Sequence, residues 1–154
     1  MAFPLPSRRR TNIRANHEIT IQRPPSQIFR YFADLRNEPD WNHGHVQDVV
    51  MTSPEPIGLG STFEGHHSGM GRATWRIVEF VPSSKIAIEG EVGTGTYRYI
   101  GRLSPHKGGT RFLGTIDWQP GSPLRFLGPL LWFVLKFQAR RSFNNLRATL
   151  ERAA

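Results

Sequence analysis

The sequence predicts an α+β fold, an antiparallel sheet packed against one long C-terminal helix. Two observations carry that expectation. Between residues 46 and 119, short segments of β-type patterning follow one another, with prolines and glycine-rich turns falling between them. From Pro129 to about Arg152 there is no further glycine or proline, and apolar residues recur at helical spacing.

Taken in order, "HEITIQR" (17–23) alternates Ile19 and Ile21 with polar neighbours, as a half-buried strand does. "PPSQIFRYFADL" follows. Its prolines end the strand, Ser26 is placed to cap, and Ile28, Phe29, Phe32 and Leu35 recur at helical spacing. "RNEPDWNHGH" reads as a short helix or loop holding Trp41, "VQDVVMT" as a strand, and "SPEPIGLGS" as a turn-rich loop. Four further strands fit "TFEGHHSG", "RATWRIVEFV", "KIAIEGEVG" and "TYRYIGRLS", and a last one, "GTRFLGTIDWQ", follows the turn "PHKGG".

The stretch "GPLLWFVLKFQARRSF" (128–143) starts the long helix, because proline at a first helical position loses no needed hydrogen bond. Its uninterrupted apolar run, Phe126 to Leu135, spans only about 15 Å as a helix, whereas a bilayer crossing needs roughly 20 residues. No transmembrane segment is expected. Trp132, Leu135, Ala139, Phe143, Leu146 and Leu150 form one stripe, with Lys136, Arg140, Asn144, Arg147 and Glu151 beside it. Leu130, Phe133, Val134 and Phe137 fall outside that stripe, so a loop, a partner subunit, a ligand or a membrane surface must cover them.

A chain of 154 residues with 38% hydrophobic and 21% charged residues suits one folded domain. It has no cysteine, which excludes disulfides and thiolate chemistry and suits a cytoplasmic setting. The net charge of +8 sits at the two ends. Arg8, Arg9, Arg10 and Arg14 have no acid near them, and Lys136, Arg140, Arg141, Arg147 and Arg152 face only Glu151. Residues 1–15 read as a flexible basic tail with no apolar stretch of signal-peptide type behind the arginines, and residues 16–154 as the single domain. An interaction module with peripheral contact to an anionic membrane or to nucleic acid is a further reading of this charge, but scattered solvated charge is the commoner explanation. Nucleic acid is not expected, because the aromatics fall on faces that read as buried.

The chain resembles the SRPBCC or START-like superfamily, especially its polyketide cyclase/dehydrase-like members. The resemblance rests on "ITIQRPPSQIFRYFADLRNEPDW", "PIGLGSTFEG", "WRIVEFVPSSKIAI" and the glycine-threonine final strand before the long helix, over roughly residues 16–152. It implies a helix-grip fold, a curved seven-stranded antiparallel sheet around the C-terminal helix. It also implies a cavity between them for a lipid, polyketide or aromatic metabolite. Non-catalytic binding or transport is one implied function; a cyclase or dehydratase acting in the same cavity is the other.

Strand alternation names the residues that would line such a cavity. Tyr97 and Tyr99 share one face, as do Phe112, Gly114, Ile116 and Trp118. Trp75 with Ile77 is taken as inward, with Val78 and Phe80 competing for that face. Trp41 and, on the helix, Trp132, Leu135, Ala139 and Phe143 complete the set. Gly101 and Gly114 remove side chains where space is needed. Plain core packing accounts for each aromatic equally well.

For catalysis there is no GxSxG, P-loop or GxGxxG motif. His66, Glu64, Tyr99 and Asp117 are the candidates for proton transfer if desolvated. His43, His45, Glu64 and His66 offer a loose zinc-like set, but the HExxH spacing is absent, and neither a metal nor a cofactor is expected. A homodimer through the leftover apolar face of the helix is a further expectation.

Overall fold

The computed structural model describes residues 12–42, 44–93, 95–121 and 124–153. Strand β1 (Ile13–Ile21) is followed by α1 (Pro25–Ala33), a 3-10 turn (Leu35–Asn37) and the single-turn helix α2 (Glu38–Trp41). Strands β2 (Val46–Met51), β3 (Thr62–His67), β4 (Gly71–Val81), β5 (Lys85–Val92), β6 (Gly95–His106) and β7 (Gly109–Gln119) come next. The chain closes with a 3-10 turn (Leu124–Leu127) and α3 (Gly128–Arg152). All seven strands form one curved sheet in the order β1-β7-β6-β5-β4-β3-β2, each neighbour antiparallel. This is the helix-grip arrangement.

The order puts β1 and β2, consecutive in sequence, at opposite edges, so the α1–α2 segment must cross from one edge to the other. Each exposed edge is then protected: α3 runs against β1, and α2 with the preceding 3-10 turn packs on β2. The far end of α3 is tied down by Arg23, whose guanidinium donates to the Glu151 carbonyl at 2.6 Å and the Ala153 carbonyl at 3.3 Å. These are carbonyls that a helix end leaves without partners.

Several details differ from the sequence reading. Strand β1 starts at Ile13 rather than His17, because β7 is long enough to pair with it from Ile13↔Trp118 to Ile21↔Thr110. Residues 13–15 are therefore sheet; residues 1–11 of the expected tail lie outside the described part. Ser26 does not cap α1. Pro25 occupies the first turn, Pro24 takes the cap position, and no side chain caps it. Pro105 lies inside β6, opposite Thr110 and beyond the last β5 pairing at Arg102, where only β7 flanks it. Proline is tolerated in such a near-edge place. The turn shrinks accordingly to Lys107 and Gly108, both at positive φ (45° and 78°), as a two-residue hairpin requires.

The competition on β4 is resolved by a register shift between Ile77 and Glu79. The extra residue lets Ile77 and Phe80 both face the core, and the Phe80 ring meets Phe29 edge-on at 5.1 Å. The core itself lies between the sheet's inner face and the helices, with Phe63, Ile77, Ile86, Phe112, Ile21, Ile28 and Leu146 fully buried.

Candidate functional site

The inner face of the sheet is built around three glycines. Gly90 on β5, Gly101 on β6 and Gly114 on β7 all face inward, and Gly101 and Gly114 are direct cross-strand partners. A methyl at Gly90 would press on the Tyr97 and Trp75 rings at 2.7 and 2.9 Å. A methyl at Gly114 would overlap the His17 ring, which β1 delivers directly opposite. The glycines do remove side chains, as expected, but rings occupy the room they leave.

Those rings form a continuous aromatic cluster. His17 lies on Phe143 of α3 with centroids 3.6 Å apart, and Tyr99 and Phe112 lie nearby at 6.0 Å each. Phe32 packs between Tyr99 and Trp41 at 5.4 and 5.7 Å, and Trp41 closes back on Phe143 at 5.4 Å. Trp75, Tyr97, Ile116 and Trp118 continue the inner face along the strands.

Polar groups are set into this apolar wall. The Tyr99 hydroxyl and His17 Nε2 are 3.3 Å apart. With the hydroxyl donating, the neutral ring keeps its proton on Nδ1, which is buried and has no partner among the described residues. Burial pushes the His17 pKa down to about 4. Trp75 Nε1 is likewise buried without a hydrogen bond of good geometry. Its nearness to Tyr97 slightly eases the rise in that tyrosine's pKa.

The third group is Glu38, at the start of α2. Its carboxyl lies deep in the protein, and burial raises its pKa to about 7. Asn42 Nδ2 donates to Glu38 Oε1 at 3.0 Å, and Ser142 Oγ of α3 donates to Asn42 Oδ1 at 2.8 Å. This short relay fixes the carboxyl relative to α3. Tyr97 and Tyr99 are held well above the ordinary tyrosine range, first by burial and then by the Glu38 charge. Glu38 and Tyr97 are deep at their polar ends yet each keeps some accessible surface.

Near neutral pH the interior thus offers a neutral imidazole, two neutral phenols, an indole N–H and a carboxyl poised between its two forms. Such a set donates and accepts hydrogen bonds to an uncharged ligand and, at Glu38, can take up or release a proton.

The residues proposed from sequence divide sharply. Trp41, Trp75, Tyr99, Phe112, Gly114, Ala139 and Phe143 are buried on the inner face or opposite it, and Tyr97, Ile116, Trp118 and Leu135 are half-buried there. Trp132 is not part of this interior. It stands on the surface, and its Nε1 donates to the Arg14 carbonyl at 3.1 Å. The first turns of α3 run past the packed part of the sheet, so the inward stripe ends near Leu135.

Of the four proton-transfer candidates, only Tyr99 lies inside. Glu64, His66 and Asp117 sit on the opposite face because strand alternation sends them there. Glu64 is paired with Arg72 at 2.7 Å and Asp117 with Arg14 at 2.6 Å. Glu64 and Asp117 line a trough of about 870 Å³ on that outer face, together with Thr62, Arg76, Glu89 and Arg98. Phe63, Trp75 and Tyr97 also line it, so its walls mix charged and aromatic residues. Among the described residues no three His, Cys, Asp or Glu side chains stand close enough to hold a metal ion, and His43 lies outside the described residues.

Sequence reading missed His17 and Glu38. A signal existed for His17, since it shares the Ile19–Ile21 face by alternation. For Glu38 there was none, because a four-residue helix has no periodicity to show which side faces in.

Residues 12–151 match the protein family described as polyketide cyclase / dehydrase and lipid transport. No curated protein sequence matches the chain. Among solved structures, TTHA0849 from Thermus thermophilus superposes with a TM-score of 0.73 at 17% identity, over 93% of this chain and 99% of that one. Ara h 8.0201 superposes with a TM-score of 0.66 at 13% identity, over 90% and 97%. The Aha1 dimer from Colwellia psychrerythraea gives 0.62 at 14% identity, over 90% and 96%. At these identities the likeness is one of fold.

Proposed function

The chain belongs to the polyketide cyclase/dehydrase and lipid-transport family, and from that premise we propose that it binds or carries an uncharged hydrophobic small molecule between the sheet and α3. A lipid, a polyketide or an aromatic metabolite fits the chemistry. The observation that carries the reading is a pair of buried polar atoms set into an aromatic wall: His17 Nδ1, with no partner among the described residues, and Trp75 Nε1, which reaches Tyr97 without good hydrogen-bond geometry. Buried polar groups without partners are costly, and a ligand carbonyl or hydroxyl placed among them recovers that cost. The absence of a fixed charge on the inner face, among the described residues, argues for a neutral ligand. A cytoplasmic setting belongs to the same reading and rests on the lack of cysteine; among the described residues no helix is long and apolar enough to cross a membrane.

Native mass spectrometry of gently purified protein, beside a denatured sample, tests this. An added mass of about a few hundred daltons that leaves on denaturation supports the proposal. A bare protein mass, combined with no salt-independent binding of an apolar fluorophore, overturns it.

One observation favours a second reading, that of a proton-transfer enzyme of the cyclase or dehydratase type. Glu38 titrates near neutrality beside Tyr97 and Tyr99, which is where a general acid–base is most effective. Glu38→Gln separates the two readings: an enzyme loses turnover while retaining its ligand, whereas a carrier is unaffected in function.

A further inference from the structure

The two halves of α3 differ in what covers them. From Ala139 onward the inward stripe is buried, but before it Leu130, Phe133, Val134 and Phe137 are 59%, 66%, 51% and 71% exposed. These four residues, spaced i, i+3, i+4 and i+7, form one continuous apolar face of about two turns. Arg140 and Arg141 follow Phe137 by three and four residues and so prolong the same face by one turn.

Ahead of Glu151 the charge on this helix has a single sign. No acidic residue occurs between residues 128 and 150. None of the ion pairs among the described residues uses Lys136, Arg140 or Arg141. Lys136 instead folds over the Trp132 ring, 4.9 Å from its centroid. The Trp132–Arg14 hydrogen bond also brings the start of β1 to this end of the helix, and the sequence just upstream carries Arg8, Arg9 and Arg10.

We propose that this face is a docking surface for an anionic phospholipid bilayer, with Leu130, Phe133, Val134 and Phe137 entering the headgroup–acyl boundary and Arg140, Arg141 and Lys136 meeting the lipid phosphates. The geometry fits shallow insertion. Leu130, Phe133, Val134 and Phe137 lie on one side of the helix over about two turns, so the helix can lie in the plane of the interface with these side chains reaching the headgroup–acyl boundary. The apolar stretch is too short to span. Charge complementarity selects the occupant. A second copy of the chain brings the same cations, and residues 1–11 are themselves basic, whereas an anionic surface neutralises all of them.

Co-sedimentation of the full chain with phosphatidylcholine vesicles, with and without phosphatidylserine, tests the proposal directly and does not depend on any bound small molecule. Binding is expected only with phosphatidylserine present and should weaken as salt rises. Arg140→Gln with Arg141→Gln should lower the partition roughly thirtyfold, and Phe133→Ser with Phe137→Ser should abolish it, both with circular dichroism unchanged because all four side chains are exposed. Equal binding to neutral vesicles, or none to either kind, overturns the proposal. So does a concentration-dependent dimer broken by the Phe133/Phe137 variant without vesicle binding, or vesicle binding that only deletion of residues 1–11 removes.

Discussion

The outer face of the sheet and the interior beneath its inner face treat titratable residues in opposite ways. On the outer face carboxylates are paired. Arg111 donates to Glu18 at 2.6 Å and Lys85 to Glu79 at 2.6 Å, and these hydrogen bonds hold both acids below the ordinary carboxylate range. In the interior Glu38 of α2 receives an amide hydrogen bond from Asn42, and burial drives its pKa up. His17 is driven down by the same cause. The sheet therefore separates water, where charge is favoured and loosely held, from an apolar interior where neutral forms are favoured. Equal substitutions on the two sides should have very unequal effects.

The largest effect is expected at Gly114→Val, where the new side chain must displace the His17 ring from its stack on Phe143. A loss of roughly 3 kcal/mol or more is expected in urea unfolding. An unchanged midpoint would mean that the ring leaves its place freely and that the stack contributes little.

Next comes Glu38→Gln, whose effect depends on pH. A carboxyl raised from an ordinary 4.5 to about 7 binds its proton more tightly in the native state, so it lowers stability as pH rises from 4.5 to 7. The full cost, roughly 3 kcal/mol, is present above about pH 7. The glutamine variant should match the parent below pH 4.5 and exceed it at about pH 8, read as the difference between their unfolding curves. A constant offset at all pH values would contradict the buried, neutral carboxyl.

His17 has the opposite slope. Its pKa falls from 6.5 to about 4, so its contribution is intact above pH 6.5, declines as pH falls from 6.5 and is lost once pH has dropped through 4. Between pH 4.5 and 6.5 the two residues offset one another, and only the glutamine variant should lose stability on acidification there. In NMR titration the His17 ring should protonate near pH 4; a midpoint near 6.5 would place it in water.

Smaller still is Gly101→Ala, where the added methyl meets Tyr99 and Phe112 at 3.1 and 3.3 Å. A few tenths of an ångström of adjustment suffices, and a loss of about 1 kcal/mol is expected. Arg111→Ala on the outer face should leave the unfolding midpoint unchanged within error, because its ion pair with Glu18 is exposed and salt-screened. A large loss there would undo the contrast between the faces.

The fold was largely legible because its signals are local. Alternation along "TYRYIGRL" and "RFLGTIDW" places Tyr99, Phe112 and Gly114 inward without any knowledge of their neighbours, and the same alternation, followed through, sends Glu64, His66 and Asp117 outward. Chemical type drew those three into the candidate site; position on the strand removes them from it. The bulge after Ile77 and the extension of β1 to Ile13 were not legible, since each depends on the register a partner strand imposes.

The sequence alone determined the class of fold, the number and order of strands, the long helix and the mismatch between its two halves, because periodicity and proline and glycine placement act over a few residues. Tertiary structure decided which polar groups matter. Glu38 becomes a near-neutral acid only when α2 is held against α3 through Asn42 and Ser142, and His17 an acid-resistant imidazole only when Gly114 lies opposite and Phe143 covers it. A pKa follows from the dielectric and partners around a group, and residues from distant parts of the chain supply them.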